Sequence, residues 1–130
     1  GGLLTGKYTR NAPPPEDSRF AAMNADNPFA ANYRRRWTER VFDAVEQLEP
    51  LAASKGVSLS QYALAWVMNQ PGVTSAIIGP RTMEQLEDNL KAIDVEITPD
   101  DRAAIDAVVP PGNMVSPFYE ADFGPSKYRW

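Results

Sequence analysis

The chain has 130 residues, 43% of them hydrophobic and 23% charged, the size and composition of one globular domain with a packed core rather than of a disordered segment. Seventeen acidic against thirteen basic residues leave a net charge of −4, a balance that repels a phosphate backbone, so nucleic acid is not an expected partner and any phosphate must be gripped locally. Histidine and cysteine are both absent, which excludes disulfides, thiol and imidazole catalysis and thiolate metal sites.

The longest apolar run, residues 62–68, is far shorter than the roughly 20 residues of a membrane-spanning helix, and no charged-then-apolar leader precedes it. A cytoplasmic protein is expected, with no membrane partner. The sequence opens on Gly1-Gly2-Leu3-Leu4-Thr5-Gly6-Lys7-Tyr8 rather than on methionine and reads as a portion of a longer chain.

Residues 9–35 contain Pro13-Pro14-Pro15, Pro28 and several Asn and Asp without a sustained apolar period, which predicts one long irregular loop. Loops of that length often serve as lids or binding segments. From about residue 36 the pattern turns helical: Val41, Val45, Leu48 and Ala52 recur at spacings of four, three and four, flanked by Phe42 and Leu51. Glu39, Arg40, Asp43, Glu46 and Glu49 fall off that stripe and are expected to meet water. Pro50 predicts a kink or restart near 47–49, and Gly56 ends the helix.

Ser58 and Gln61 have the reciprocal capping pattern that starts a helix over 59–69. Its residues 62–68 are apolar nearly all round, which predicts burial between other elements. Pro71-Gly72 turns the chain, and residues 75–79 read as a short buried strand; a second strand is expected to end near Gly2. Thr82 and Gln85 repeat the capping pattern for a helix to about 93. Thr98, Pro99, Asp100 and Asp101 open the last helix, to about 108, with a cap, a proline at the first helical position and acids in the first turn. A buried strand needs neighbours on both sides, and the chain lacks them; residues 1–130 alone are not expected to fold cooperatively.

The best chemical candidate is Gly79-Pro80-Arg81-Thr82-Met83-Glu84-Gln85-Leu86-Glu87-Asp88-Asn89. Here a strand ends at a glycine and a helix begins with its free amides and positive dipole end outward, a place where anions are welcome. Arg81 adds a planar fork suited to a phosphate monoester, and Gln85 and Asn89, four apart, share a helical face with it. Gly2 and Gly6 flank three residues, not the spacing of a phosphate-binding P-loop, although Lys7 and Arg19 could still close over a diphosphate from the loop. The carboxylates crowd single helices in patterns that suit solvation, and none is assigned proton transfer. The tail, residues 109–130, carries Phe118, Tyr119, Phe123, Tyr128 and Trp130 among prolines and is expected to dock through its rings. A rival reading takes residues 58–68 as half of a helix-turn-helix; the acidic balance argues against it.

Taken together, the opening Gly2-Leu3-Leu4-Thr5-Gly6-Lys7-Tyr8, the stretch Ser60-Gln61-Tyr62-Ala63-Leu64-Ala65-Trp66-Val67, the Gly79 to Asn89 segment and the tail Ser116-Pro117-Phe118-Tyr119 resemble the C-terminal portion of an aldo-keto reductase. The same family includes the beta subunits of voltage-gated potassium channels. The resemblance implies an α/β fold, the C-terminal part of a (β/α)8 TIM barrel, mostly helical here with the last one or two barrel strands. It implies that Gly79, Arg81, Gln85, Asp88 and Asn89 contact the adenosine end of NADP(H), with Arg81 on the 2′-phosphate, and that Gly2, Leu3, Leu4, Lys7 and Arg19 fold over the diphosphate. Asp88 stands where many members carry glutamate. The family's catalytic tyrosine, lysine, aspartate and histidine motifs do not occur in this chain, so no catalytic residue is assigned. The implied activity of the parent is hydride transfer between NADP(H) and a small-molecule aldehyde, ketone or alcohol. The alternative is a non-catalytic NADP(H)-binding redox-sensing module like the channel subunits. The resemblance names no substrate and no oligomeric state.

Overall fold

A computed structural model describes residues 1–24, 26 and 30–116. Its helices, in chain order, are α1 (Ala30–Arg34), α2 (Glu39–Ser54), α3 (Leu59–Met68), α4 (Met83–Leu90) and α5 (Pro99–Val108), with 3-10 turns at Leu3–Thr5, Arg19–Asn24 and Lys91–Asp94. The aromatic residues expected to dock the tail, 118 onward, lie outside the described residues.

Local chemistry sets the ends of these helices. Thr38 caps α2 by accepting from the Val41 amide, and Gly56, at φ 70°, closes it: the amides of Gly56 and Val57 donate back to Ala53 and Ala52. That pairing satisfies carbonyls the helix would otherwise leave open. The expected restart near 47–49 does not occur, and α2 continues through Pro50 as one helix. Pro50 and Glu46 both lie on the exposed side, so the carbonyl deprived of its amide partner turns to water instead of to a dry interior. Reciprocal capping forms at Ser58/Gln61 and at Thr98/Asp101.

Two apolar clusters hold the helices. The first joins Val41, Val45 and Ala52 of α2 with Leu59, Tyr62 and Ala65 of α3, Ile97, and Ile105 of α5. The second is aromatic: Tyr8, Phe20 and Phe42 are buried, with Tyr33 and Trp37 packed on them. Ring centroids there stand 5.0–5.4 Å apart, Tyr8 on Phe20 and Trp37, and Trp37 on Phe42, edge to face, the arrangement aromatic quadrupoles favour.

This second cluster corrects the reading of residues 9–35 as one irregular loop. The segment holds the 3-10 turn Arg19–Asn24 and helix α1, both ordered around Phe20, which is fully buried. A cluster built from scattered single rings leaves no periodic trace in the sequence.

The strand predictions also need correction. Among the described residues there is no paired strand: residues 73–80 belong to no helix or strand, with Ile77 wholly exposed and Ala76 and Ile78 half-buried, and Gly2 has left-handed dihedrals at the entry to a 3-10 turn. The alternation has the period of a strand, but a strand is completed by its neighbours' backbone groups, and no described segment supplies them. For the same reason α3 is covered on one face only; Leu59, Gln61, Tyr62 and Ala65 are buried while Val67 is exposed.

Candidate functional site

The uncovered face of α3 borders a broad cleft of about 1780 Å³, to which Tyr62, Ala63, Leu64, Trp66 and Val67 contribute. Two rims flank it. All ten residues singled out in the sequence line this one space: Gly2, Leu3, Leu4, Lys7 and Arg19 on the first rim, and Gly79, Arg81, Gln85, Asp88 and Asn89 on the second.

On the first rim, Gly2 (φ 88°) and Gly6 (φ 72°) bracket the 3-10 turn Leu3–Thr5, whose Thr5 hydroxyl donates to the Gly2 carbonyl at 2.8 Å. Both glycines sit where L side chains are strained. Exposure then alternates along the chain: Lys7 is open and Tyr8 is buried, its hydroxyl donating to the Gly1 carbonyl at 2.9 Å. The Lys7 ammonium stands 5.2 Å from the Tyr8 ring.

On the second rim, Thr82 caps α4 by accepting from the Gln85 amide. The reciprocal half of the expected box is displaced by one residue, because the Gln85 side-chain Oε1 accepts from the Arg81 backbone amide at 2.8 Å. Arg81 stands at the N-terminal mouth of α4 with 62% of its side chain exposed, and its Nη2 donates to the Asp17 carbonyl at 3.1 Å and to Asp17 Oδ2 at 3.4 Å. Gly79 leaves the backbone bare, with no atom within 4 Å of where a Cβ would stand. Asp88 is already engaged: its Oδ1 accepts from Gln61 Nε2 at 2.6 Å, its carbonyl from the same amide at 3.2 Å, and Oδ2 from the Ser58 hydroxyl at 3.5 Å.

Sequence reasoning missed three participants. Asp17 bridges the rims by reaching Arg81. Gln61 was visible as a capping residue, yet its amide also ties α3 to α4. Arg10 is the third: its guanidinium donates to Glu39, to Asp43 at 2.6 Å and to both oxygens of Glu46 at 2.9 Å. Glu39, Asp43 and Glu46 were expected to meet water alone; their spacing of four and three puts like charges on one stripe, and that repulsion was the available signal for a missing cation. Further round the core, Lys55 and Tyr62 converge on Asp101, at 2.8 and 3.4 Å. Burial and then the Asp101 charge push the Tyr62 hydroxyl up to about 12. Burial would also raise Asp101, but hydrogen bonds from Lys55 and Thr98 outweigh it and hold the carboxyl at about 2.

Among the described residues no group of three or more carboxylates is placed to hold a metal ion, and no helix is long and apolar enough to cross a membrane. What the elements define is an open cleft with cationic side chains on both rims and a helix N-terminus at its mouth.

Residues 1–110 match the Aldo/keto reductase family. The chain is 44% identical over 94 residues (72% of this chain, 27% of that protein) to a probable voltage-gated potassium channel subunit beta of Arabidopsis thaliana, and 42% identical over 110 residues (83% and 32%) to its counterpart in Oryza sativa. To an L-glyceraldehyde 3-phosphate reductase of Escherichia coli O157:H7 it is 32% identical over 114 residues (87% and 32%). The chain belongs to the aldo/keto reductase family. It spans about a third or less of the length of these relatives, and membership implies a TIM barrel as the fold to which its helices contribute.

Proposed function

We propose that this chain is the cofactor-clamping part of an NADP(H)-dependent cytoplasmic oxidoreductase that transfers hydride between the nicotinamide and a small-molecule aldehyde, ketone or alcohol. The observation that carries the reading is the meeting of two sequence-distant rims on one cleft, with the Arg81 fork exposed at the N-terminus of α4. The residues present suit the group. A 2′-phosphate is a dianion that a guanidinium grips by charge-assisted, bidentate hydrogen bonds, and the free amides and dipole of α4 add to that grip. Gly79 lets a nucleotide approach the backbone, Gln85 and Asn89 stand on the same helix to read the adenine, and Asp88 meets the adenosine end with its carboxylate shared with Gln61 and Ser58. Across the cleft Lys7 and Arg19 neutralise the diphosphate over the open turn at Gly2, Leu3 and Leu4.

The nicotinamide, when bound, supplies the hydride; the protein binds, orients and excludes competitors. This chain's share is binding, and no residue of it is assigned to proton transfer. The higher identity to two channel beta subunits than to the reductase favours keeping a second reading, in which the same clamp serves a redox-sensing module with slow turnover. Steady-state assays of the whole protein against carbonyl substrates separate the two.

The clamp is tested with Arg81→Ala in the protein that carries this chain. Losing the charge-assisted grip is expected to weaken NADPH by about 1.5–3 kcal/mol, roughly ten- to a hundredfold, and NADH by less than about threefold. Titrations by nucleotide fluorescence giving equal losses for both cofactors refute the assignment.

A further inference from the structure

Lys7 and Arg10 lie three residues apart on one short segment and line different spaces. Lys7 lines the cleft, whereas Arg10 lines a small pocket of about 180 Å³ behind it with Tyr8, Phe42 and Glu46. Arg10 is gripped more heavily than any surface pair requires. It donates to both oxygens of Glu46, one of Asp43 and one of Glu39, and its Cζ lies 5.7 Å from the Phe42 ring centre. Only 24% of its side chain is exposed. The hydrogen bonds to Glu46 and Asp43 raise the arginine pKa, and the Arg10 hydrogen bond lowers that of Glu46. Isolated exposed ion pairs contribute little, but a bidentate pair inside a network of several charges is the exception. The dependence is mutual, since Glu39, Asp43 and Glu46 repel one another along α2 without the guanidinium.

From this back-to-back placement we propose that Arg10 is a positioning residue: by locking residues 6–10 onto α2 it fixes the rim that presents Lys7, and so sets how fast a bound dinucleotide leaves the cleft. The inference rests on the cofactor reading above and adds to it a residue that need touch no ligand. A phosphate held by Lys7 escapes when the rim moves, and the Arg10 network together with buried Tyr8 resists that movement. Because the restraint acts through the rim, it treats NADPH and NADH alike, whereas Arg81 discriminates between them.

The experiment uses the protein that carries this chain and compares wild type with Arg10→Met, which keeps an unbranched side chain of similar length without the charge, with Arg10→Lys, and with Glu46→Gln, which leaves Arg10 two partners should the methionine variant fail to fold. Stopped-flow release of NADPH and of NADH is read beside amide hydrogen exchange over residues 6–12 in the ligand-free protein. For Arg10→Met the expected result is release about tenfold faster for both nucleotides, association changed by less than about twofold, and faster exchange confined to that segment. Arg10→Lys recovers part of the loss, and Glu46→Gln speeds release by about threefold. Unchanged release overturns the proposal, as does acceleration for NADPH alone, which makes Arg10 a direct phosphate contact. Faster exchange without faster release shows a clamp that does not govern the cleft and overturns it equally. A wild-type protein that binds neither nucleotide defeats the cofactor reading itself, a result visible before any variant is made.

Discussion

The two rims of the cleft are built in opposite ways. The first, residues 2–24, has a core of its own: Phe20 is fully buried, Tyr8 and Phe42 nearly so, and the Arg10 network binds the outside of the segment to α2. The second rests on α4, which buries no residue at all, and follows an irregular segment whose Ile77 is bare. It is held through Gln61 and Asp88 on one side and, across the cleft, by Arg81 on Asp17. The rim that looks like a loop is therefore anchored by packing, and the rim that looks like regular structure is anchored by polar contacts. Regularity of backbone and firmness of support are separate properties; support follows the contacts made on the far side of an element.

Breaking the packed rim has the largest expected effect. Phe20→Ala removes a ring with no exposed surface, and the cavity left behind should cost about 3–5 kcal/mol. Denaturant unfolding measures the loss, and hydrogen exchange should rise across residues 2–24 while α4 keeps its protection. A loss spread evenly over both rims shows them to be one cooperative unit and ends the contrast drawn above.

Cutting the polar anchor comes next. Gln61→Leu keeps the volume of the side chain but strips the Asp88 carboxylate of its amide donor and the Ser58 amide of its acceptor, at a cost of about 2 kcal/mol. Exchange should accelerate in α4 and leave residues 2–24 untouched, the mirror of the Phe20 result. Protection in α4 that survives the change shows the second rim to be held by something other than Gln61.

The smallest effect sharpens the comparison by sparing both rims. Asp101, held at about 2 against an ordinary 3.8, favours the fold when ionised. Its contribution is complete above the ordinary value and drains away as pH falls from about 4 through 2, amounting to about 1–2 kcal/mol. Asp101→Asn should flatten that part of the acid unfolding curve and leave hydrogen exchange of the rims unaltered at neutral pH. A curve of the same steepness in the variant assigns the acid sensitivity elsewhere.

Much of this architecture was legible from residue order, because helices announce themselves locally. Caps at Ser58 and Thr98, the stripe Val41-Val45-Leu48-Ala52 and the stop at Gly56 all act within a few positions of where they stand, and the structure has each of them. The Gly79 to Asn89 segment was legible for the same reason, a glycine, an arginine and a helix start in succession. What escaped was long-range. Phe20, Tyr33 and Trp37 have no common spacing, and Arg10 meets its partners 29 to 36 positions away, so no window along the chain displays either cluster. The strand at 75–79 failed for the complementary reason: its pattern is local, but its completion depends on neighbours that no described residue provides.

Gly2 carries a last implication. A Cβ there would stand 3.0 Å from the Lys7 Cε and 3.2 Å from its Nζ, on a backbone already turned to φ 88°. Even a single methyl at this position would press on the end of the Lys7 side chain, which must swing aside, and would oppose the twist of the chain. A larger side chain at this position therefore brings backbone strain at residue 2 and moves the Lys7 ammonium, five positions downstream, from its present place.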